Sequence, residues 1–449
     1  MSKLWAPAEM ISATGGLLRR PFHATGISID TRTIKPGDLF VALVGDHGDG
    51  HDHAAAALAK GAAGVMLHRL PDGLPDDAPI LQVGDTLAGL VALARFARAR
   101  FAGKLVAVTG SVGKTTTKNM LRRALSAVGK TWGADASHNN HWGVPLTLAR
   151  LPADALYCVV EIGMNHAGEI RPLAELARPD VAVITAIEKV HIGYLGSLEA
   201  IADEKAALLQ ALPPDGIAVL PAGAPLLSRL LAVAGSRKHV LFGDGLVAES
   251  DSEGCNVTAM IGTTQVRVHL AAPGRHMAMN AAAALVAVQA LGADLDRAVA
   301  GLAGFAPAAG RGMRRPVMDG AAMLLDESYN ASAPSMRAAL AVLGLQPATR
   351  RVLVLGDMLE LGDDGPAEHL GLRDAVLANA DLVFACGTLM HPLFASLPAE
   401  RQGGFAANSA ELAPIAADAL RAGDAVLVKG SLGSKMKLIV DAIERVGVH

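Results

Sequence analysis

Short apolar runs along the chain alternate with longer stretches in which apolar residues recur every three or four positions. In the first 84 residues the runs are brief: 26–30 leads into Thr31-Arg32, 38–44 predicts a strand, 45–53 a loop and 54–60 a helix. Residues 85–100 predict a helix leading to the strand-like run 105–108. That run stops at Gly110-Ser-Val-Gly113, and Met120, Leu121, Ala124, Leu125 and Val128 then mark one face of a helix. Apolar runs at 157–163, 180–187 and 216–220 alternate with predicted helices at 168–177 and 197–212. Strands apolar on both faces belong to a parallel sheet covered by helices on both sides. Residues 236–272 predict short antiparallel strands and 277–291 an alanine-rich helix. After Gly310-Arg311-Gly312 the alternation restarts, with strands at 321–326, 351–355, 381–385 and 425–429. The fold class is therefore α/β. With 449 residues and about 150 per domain, three domains are expected: 1–84, a central parallel-sheet domain at 85–312, and a second, Rossmann-like α/β domain at 313–449.

Composition narrows the function. About half the residues are hydrophobic, enough for sizeable cores, and the formal charge of −3 with no basic run argues against a nucleic-acid partner. No stretch reaches the 18 or so apolar residues of a membrane span, and the first residues lack an apolar signal core. Cys158, Cys255 and Cys386 are far apart and odd in number, so neither a zinc site nor a disulfide framework is expected and the compartment is read as the cytoplasm. A monomer is the default.

The stretch 104–118, KLVAVTGSVGKTTTK, carries the clearest chemistry. Strand, glycine loop and helix form the geometry that cradles phosphate: Thr109, Gly110, Ser111, Val112 and Gly113 bring main-chain N–H groups to the oxygens, and the helix start adds partial positive charge. Lys114 reaches the outer phosphates, the Thr115 hydroxyl is placed for Mg²⁺, and Thr116 follows it. Val108 stands where the usual P-loop has its first glycine. An ATP or GTP site is expected.

Other groups fall where such a site needs them. Glu161 ends an apolar strand, where a ligand crevice of a parallel sheet lies, and either holds Mg²⁺ or caps the next helix. His191 follows another strand, as a structural histidine or as a metal or phosphate contact. Lys205 falls on the apolar face of the predicted helix 197–212, between Ile201 and Leu208. A buried ammonium is costly without a partner, so Lys205 either snorkels to the surface or serves the site, by contacting phosphate or by conversion to an anion. The loop 137–143 offers the amides of Asn139 and Asn140 to polar substrate groups, 273–276 (PGRH) precedes the helix near Asn280, and Asp326-Glu327-Ser-Tyr329-Asn330 ends a strand of the last domain. The loop 45–53, with Asp49, Gly50 and His51 among its histidines and aspartates, suits either a metal or a fold over a polar ligand.

These residues resemble the Mur ligases of peptidoglycan synthesis over nearly the whole chain. Asp30-Thr31-Arg32 with GDLFVALVGDHGDGHDH resembles that family's uridine-nucleotide domain, and TGSVGKTTTK its ATP loop. EIGMNHAGEI, VHIGYLGSLEAIADEK, PGRH, GRG, DESYNAS, LGDMLELG and VLVKGS follow in the family's order. EIGMNHAGEI and LGDMLELG favour the member that adds D-alanyl-D-alanine to UDP-N-acetylmuramoyl-tripeptide. The resemblance implies ATP with two Mg²⁺ ions. Lys114 would sit on the phosphates, with Thr115, Glu161, His191 and a CO₂-carbamylated Lys205 at the metals. Asn280, Arg311, Asp326 and Tyr329 would contact ATP. Thr31, Arg32, Asp49, Gly50, His51, Asn139, Asn140, Glu327 and Asn330 would bind the acceptor or the dipeptide. The chain departs from the family in three places: Met277 replaces an asparagine near adenine, Ser332-Ala333 replace Asn-Pro, and Glu327 replaces the second acid of an Asp-Asp pair. The alternatives are a related ATP-dependent amino-acid ligase, including one like folylpolyglutamate synthase, and an ATP-hydrolysing switch protein.

Overall fold

The computed structural model describes residues 3–46, 48–190 and 192–446. Among them the central sheet has six parallel strands in the order Lys238–Phe242, Ile217–Pro221, Val181–Ile184, Lys104–Thr109, Tyr157–Glu161, Thr131–Gly133. The phosphate-loop strand is thus internal. Its alternate residues serve two cores: Leu105 and Ala107 face one side, while Val106 and Val108 pack on the other with Met120, Leu121 and the alanine-rich helix Arg275–Ala290. The antiparallel expectation for 236–272 needs one correction. Lys238–Phe242 follows helix Leu227–Ala234 and pairs in parallel with Ile217–Pro221 as a crossover strand; the three strands Val247–Ser250, Cys255–Ile261 and Thr264–Leu270 are antiparallel.

The first 84 residues carry a five-stranded sheet in the order Leu17–Leu18, Ile80–Gln82, Gly64–Leu67, Asp38–Val41, Gly26–Ser28, parallel except for the first pair. Its apolar face does not close on itself. Trp5, Leu39 and Leu81 share one continuous core with Leu90 and Leu93 of helix Thr86–Arg100 and with Leu105 and Ala107 of the central sheet. Polar bonds cross the same seam: Trp5 Nε1 donates to Ala149 O at 2.9 Å, Thr86 Oγ1 to Ala42 O at 2.8 Å, and Arg100, stacked 4.3 Å from the Trp5 ring, binds Glu9 at 2.9 Å.

The last sheet runs Met313–Val317, Ala322–Glu327, Asp424–Lys429, Arg350–Leu355, Leu382–Cys386, Gln402–Ala406, with only the first strand antiparallel. The two edge strands escape the sequence pattern because they are short and half-exposed. This sheet has its own cores, Leu325, Leu353 and Leu355 on one side and Leu324, Val352 and Val354 on the other. It meets the central region through sparse contacts. Gly193 N donates to Glu360 O at 3.1 Å, and a Cβ on Gly193 would lie 3.0 Å from Gly362 N, so a larger side chain there would crowd the Gly362 backbone. Lys189 and Asp364 pair at 3.8 Å with both side chains about half exposed, a contact of small energy.

Candidate active site

The glycine loop between strand Lys104–Thr109 and helix Lys114–Ser126 is tight because both glycines have positive φ, 144° at Gly110 and 81° at Gly113. A Cβ at Gly110 would strike Thr185 Oγ1, and one at Gly113 would strike Asn280 Oδ1. Lys114 Nζ donates to Gly110 O at 2.7 Å and Ser111 O at 3.1 Å. Burial, above all, lowers its pKa; Glu161 opposes the shift and Arg311 adds to it.

Glu161, at the carboxyl end of Tyr157–Glu161, is 3% exposed and is the hub of the loop's outer side. Its Oε1 accepts from Thr115 Oγ1 at 2.9 Å and from Asn139 Nδ2 at 2.8 Å. Its Oε2 is buried without a hydrogen bond and faces Lys118 Nζ at 3.8 Å. A buried carboxylate oxygen in this position, beside a threonine hydroxyl at the helix start, fits a hard divalent cation, which takes oxygen ligands. Thr115 also contacts Ser137 Oγ at 2.8 Å, and Arg311 donates to the same Ser137 Oγ at 2.9 Å. Lys118, buried one helical turn beyond Lys114 and bonded to Ala136 O at 2.9 Å, was not singled out in the sequence; the Lys-x-x-x-Lys spacing was its signal.

Lys205 lies on helix Leu198–Gln210, 2% exposed, and does not snorkel. Burial first and the nearby Lys114 second hold its pKa well below the usual lysine range, with Glu204 opposing. Glu204 itself accepts from Gly168 N at 2.7 Å and Ile170 N at 2.8 Å, pinning the loop after Glu161 to the lysine's helix. His191 lies outside the described residues.

Across a cleft of about 510 Å³ stands the last sheet. Lys429 is in register with Glu327 on one neighbour and Leu355 on the other, at the crevice between strands joined by long crossovers. Its ammonium, 2% exposed, lies 3.4 Å from Glu327 Oε2 and 2.9 Å from Asn330 O. Burial lowers the pKa of the facing His276, Glu327 raises it, and Lys429 lowers it. The Arg311 guanidinium stacks 3.9 Å above the Tyr329 ring.

The cleft gathers Ser111, Val112, Gly113, Lys114, Thr115, Thr116, Asn139, Asn140, Glu161, Asn280, Arg311, Glu327, Tyr329 and Asn330. Thr109 and Gly110 lie beneath its floor, Thr109 fully buried. Asp326 is a correction: 1% exposed, it accepts at one oxygen from Ser328 Oγ (2.6 Å) and at the other from Gly310 N (2.9 Å) and Arg315 (3.0 Å). It anchors the Gly310–Gly312 link and offers ATP no free oxygen. His51 is a second correction. It is fully buried, with Nδ1 bonded to Asp49 at 2.5 Å and Nε2 accepting from His68 N at 3.1 Å, and Arg69 takes the other Asp49 oxygen at 2.6 Å. His51 therefore scaffolds its loop, as does Gly50, whose N–H binds Leu43 O at 2.8 Å. Among the described residues no group of three or more His, Cys, Asp or Glu side chains is placed to hold a metal ion. His47 lies outside them. Arg32 is exposed and bound to Asp30 at 2.7 Å, and the Thr31 carbonyl accepts from Lys60 at 2.9 Å; both lie away from the cleft.

A nucleotide-type loop, a carboxylate hub and a buried lysine on one α/β domain, faced by a second across a cleft, form a phosphate-binding enzyme site shared between two domains. Three segments match known domains: residues 23–96 the Mur ligase catalytic domain, 108–288 the Mur ligase middle domain and 313–432 the Mur ligase glutamate ligase domain. The UDP-N-acetylmuramoyl-tripeptide–D-alanyl-D-alanine ligase of Escherichia coli is 37% identical over 94% of each chain. The crystal structure of MurF from Acinetobacter baumannii superposes with a TM-score of 0.85 at 31% identity, covering 98% of this chain and 99% of that one. The Thermotoga maritima MurF ligase, crystallised with ADP, shares the fold at 24% identity and a TM-score of 0.78, covering 94% and 98%. The chain belongs to the Mur ligase family.

Proposed function

We propose that the chain joins D-alanyl-D-alanine to the peptide carboxylate of UDP-N-acetylmuramoyl-tripeptide with consumption of ATP, a cytoplasmic step of peptidoglycan precursor synthesis. The observation that carries this reading is Glu161, which holds Thr115 with one oxygen and leaves the other buried and unbonded beside the phosphate loop. The kinship with D-alanyl-D-alanine ligases over nearly the full chain supplies the substrates.

Amide formation from a carboxylate requires a better leaving group than oxide. The acceptor carboxylate attacks the terminal phosphorus of ATP, giving an acyl phosphate and ADP. The dipeptide amine then attacks the acyl carbon and phosphate departs. Lys114 and the loop N–H groups hold the phosphates and stabilise charge that develops on them. Thr115, Glu161, His191 and Lys205 would hold Mg²⁺, which supplies Lewis-acid stabilisation when bound. The lowered pKa of Lys205 favours the neutral amine, the form that adds CO₂ to give a carbamate. Asn280, Arg311 and Tyr329 serve the nucleotide; Asn139 and Asn140 the acceptor; Glu327 and Asn330 the dipeptide side. Thr31, Arg32 and the loop at Asp49 belong to the uridine end, with residues 1–84, 85–312 and 313–449 as the three working units and a monomer as the assembly.

The test is phosphate release with Mg²⁺-ATP, UDP-muramoyl-tripeptide and D-alanyl-D-alanine, each omitted in turn, with mass spectrometry of the product. Release that needs all three and yields a pentapeptide is expected. Release without the acceptor or the dipeptide refutes the assignment. Removal of CO₂ should lower turnover, with bicarbonate restoring it in the wild type but not in Lys205→Ala.

A further inference from the structure

Glu188 has no part in the reading above. It follows strand Val181–Ile184, and it lines the cleft. In the sheet order that strand lies on one side of the phosphate-loop strand and Tyr157–Glu161 on the other, so Glu161 and Glu188 flank the loop from opposite sides. The main chain of Glu188 is clasped by the loop itself: its N–H donates to Ser111 Oγ at 2.9 Å, and Ser111 Oγ donates to its carbonyl at 3.0 Å. The carboxylate is therefore placed by the phosphate loop. Its Oε2 is buried and accepts no hydrogen bond, and no described side chain forms an ion pair with it. Burial raises its pKa, and no neighbouring cation offsets the shift.

Glu188 is half-buried at the cleft, and a carboxylate with one oxygen buried and without a donor favours a partner that arrives with a ligand. On the function proposed above, on which this inference rests, two substrates are anionic at the cleft. The third, a dipeptide, reacts through its amino group and brings it to the cleft as an ammonium. We propose that Glu188 receives the ammonium of the incoming D-amino-acid amine and takes one proton from it. One N–H proton moves to the Glu188 carboxylate, the freed lone pair of nitrogen forms the C–N bond as the bond from carbon to the phosphate oxygen breaks, and the departing phosphate takes the second proton from the nitrogen to leave the neutral amide. Glu188 thereby orients the nucleophile from the phosphate-loop side, while Glu327 and Asn330 approach from the opposite wall.

Glu188→Gln keeps the shape and the main-chain clasp on Ser111, so it isolates the carboxylate. Steady-state kinetics would vary each substrate and Mg²⁺ in turn. Propanoyl-D-alanine, which lacks the ammonium, would serve as an inhibitor competitive with the dipeptide, and hydroxylamine would trap the acyl phosphate. The expected result is a rise of about tenfold or more in KM for D-alanyl-D-alanine, the scale of a lost charge-assisted hydrogen bond. The constants for ATP and Mg²⁺, the inhibition constant of propanoyl-D-alanine and the hydroxylamine-trapped rate should stay within about twofold. An unchanged dipeptide KM overturns the proposal. A rise in the Mg²⁺ requirement instead makes Glu188 a metal ligand, and a parallel loss of propanoyl-D-alanine binding makes its role one of shape; either overturns it. A wild-type protein that fails to ligate refutes the function itself, whereas a ligating wild type with an indifferent Glu188→Gln refutes only this inference.

Discussion

The two outer regions of the molecule are attached to its centre in opposite ways. The N-terminal sheet shares a continuous apolar core with helix Thr86–Arg100 and the central sheet, and Trp5, Thr86 and Arg100 bond across the seam. The C-terminal sheet is packed on both faces by its own helices and touches the centre through contacts that include the Gly310–Gly312 link, the Arg311–Tyr329 stack, the Gly193–Glu360 contact, the Lys189–Asp364 pair and the Arg314–Glu253 bond. Shared burial makes the first boundary part of one folding unit. Self-contained burial leaves the second free to move. On the proposed function, the acceptor's uridine end would rest on a fixed wall and the dipeptide on a wall that can approach.

The strongest way to break this comparison is truncation. Removing residues 1–84 should leave the remainder unable to fold cooperatively. It bares the shared core, where each large apolar side chain is worth about 1.5–3 kcal/mol and a domain's whole stability is only about 5–15 kcal/mol. Residues 313–446 alone should fold with a sharp thermal transition. Circular dichroism of both pieces decides the matter, and a stable, cooperative 85–449 fragment would refute the shared-core argument.

Next in size is the chemistry of the fixed side. Lys114→Ala should lower kcat by about a thousandfold or more, the scale of a lost preorganised charge at a transferring phosphoryl group, with a Tm close to wild type. A smaller effect is expected at the mobile seam. Gly193→Val places bulk against Gly362, so kcat should fall about tenfold, with a larger radius of gyration in the presence of ligands and unchanged nucleotide affinity. An unchanged radius of gyration would show that the contact does not govern closure.

The smallest effect concerns the thiols. Burial pushes Cys158 and Cys386 up to about 12. They should react with a disulfide reagent at pH 8 only at the rate of unfolding. Because the unfolded thiols ionise near 9, the unfolded state binds fewer protons between about 9 and 12, and these groups make the fold less stable as pH rises through that window. Fast labelling of the native protein at pH 8 would contradict their burial.

The fixed side was also the more legible one in the sequence. The glycine loop, Glu161 at a strand end and Lys205 on an apolar helix face each announce themselves through local spacing; the structure places the loop at the cleft and buries Glu161 and Lys205, which settles the choice between a snorkelling and a buried Lys205 that spacing left open. Asp326 misled because its neighbours Glu327 and Tyr329 do face the cleft; only the fold shows Gly310, Arg315 and Ser328 consuming its oxygens. His51 misled for a similar reason, since no local pattern reveals that His68 lies behind its ring. Lys429 was visible within VLVKGS, yet its burial against Glu327 depends on a partner about a hundred residues earlier. Ser137, Glu204 and Glu188 act through bonds to distant segments, which periodicity cannot encode.

The approach of Gly193 to Gly362 has a bearing on timing. Gly193 lies on the short segment between the strand that precedes Glu188 and the helix that carries Lys205. On the proposed function, the outer domain's contact at Gly193 would couple its position to the segment that leads to the buried lysine. On that reading, ATP turnover would then depend on the order in which these surfaces meet.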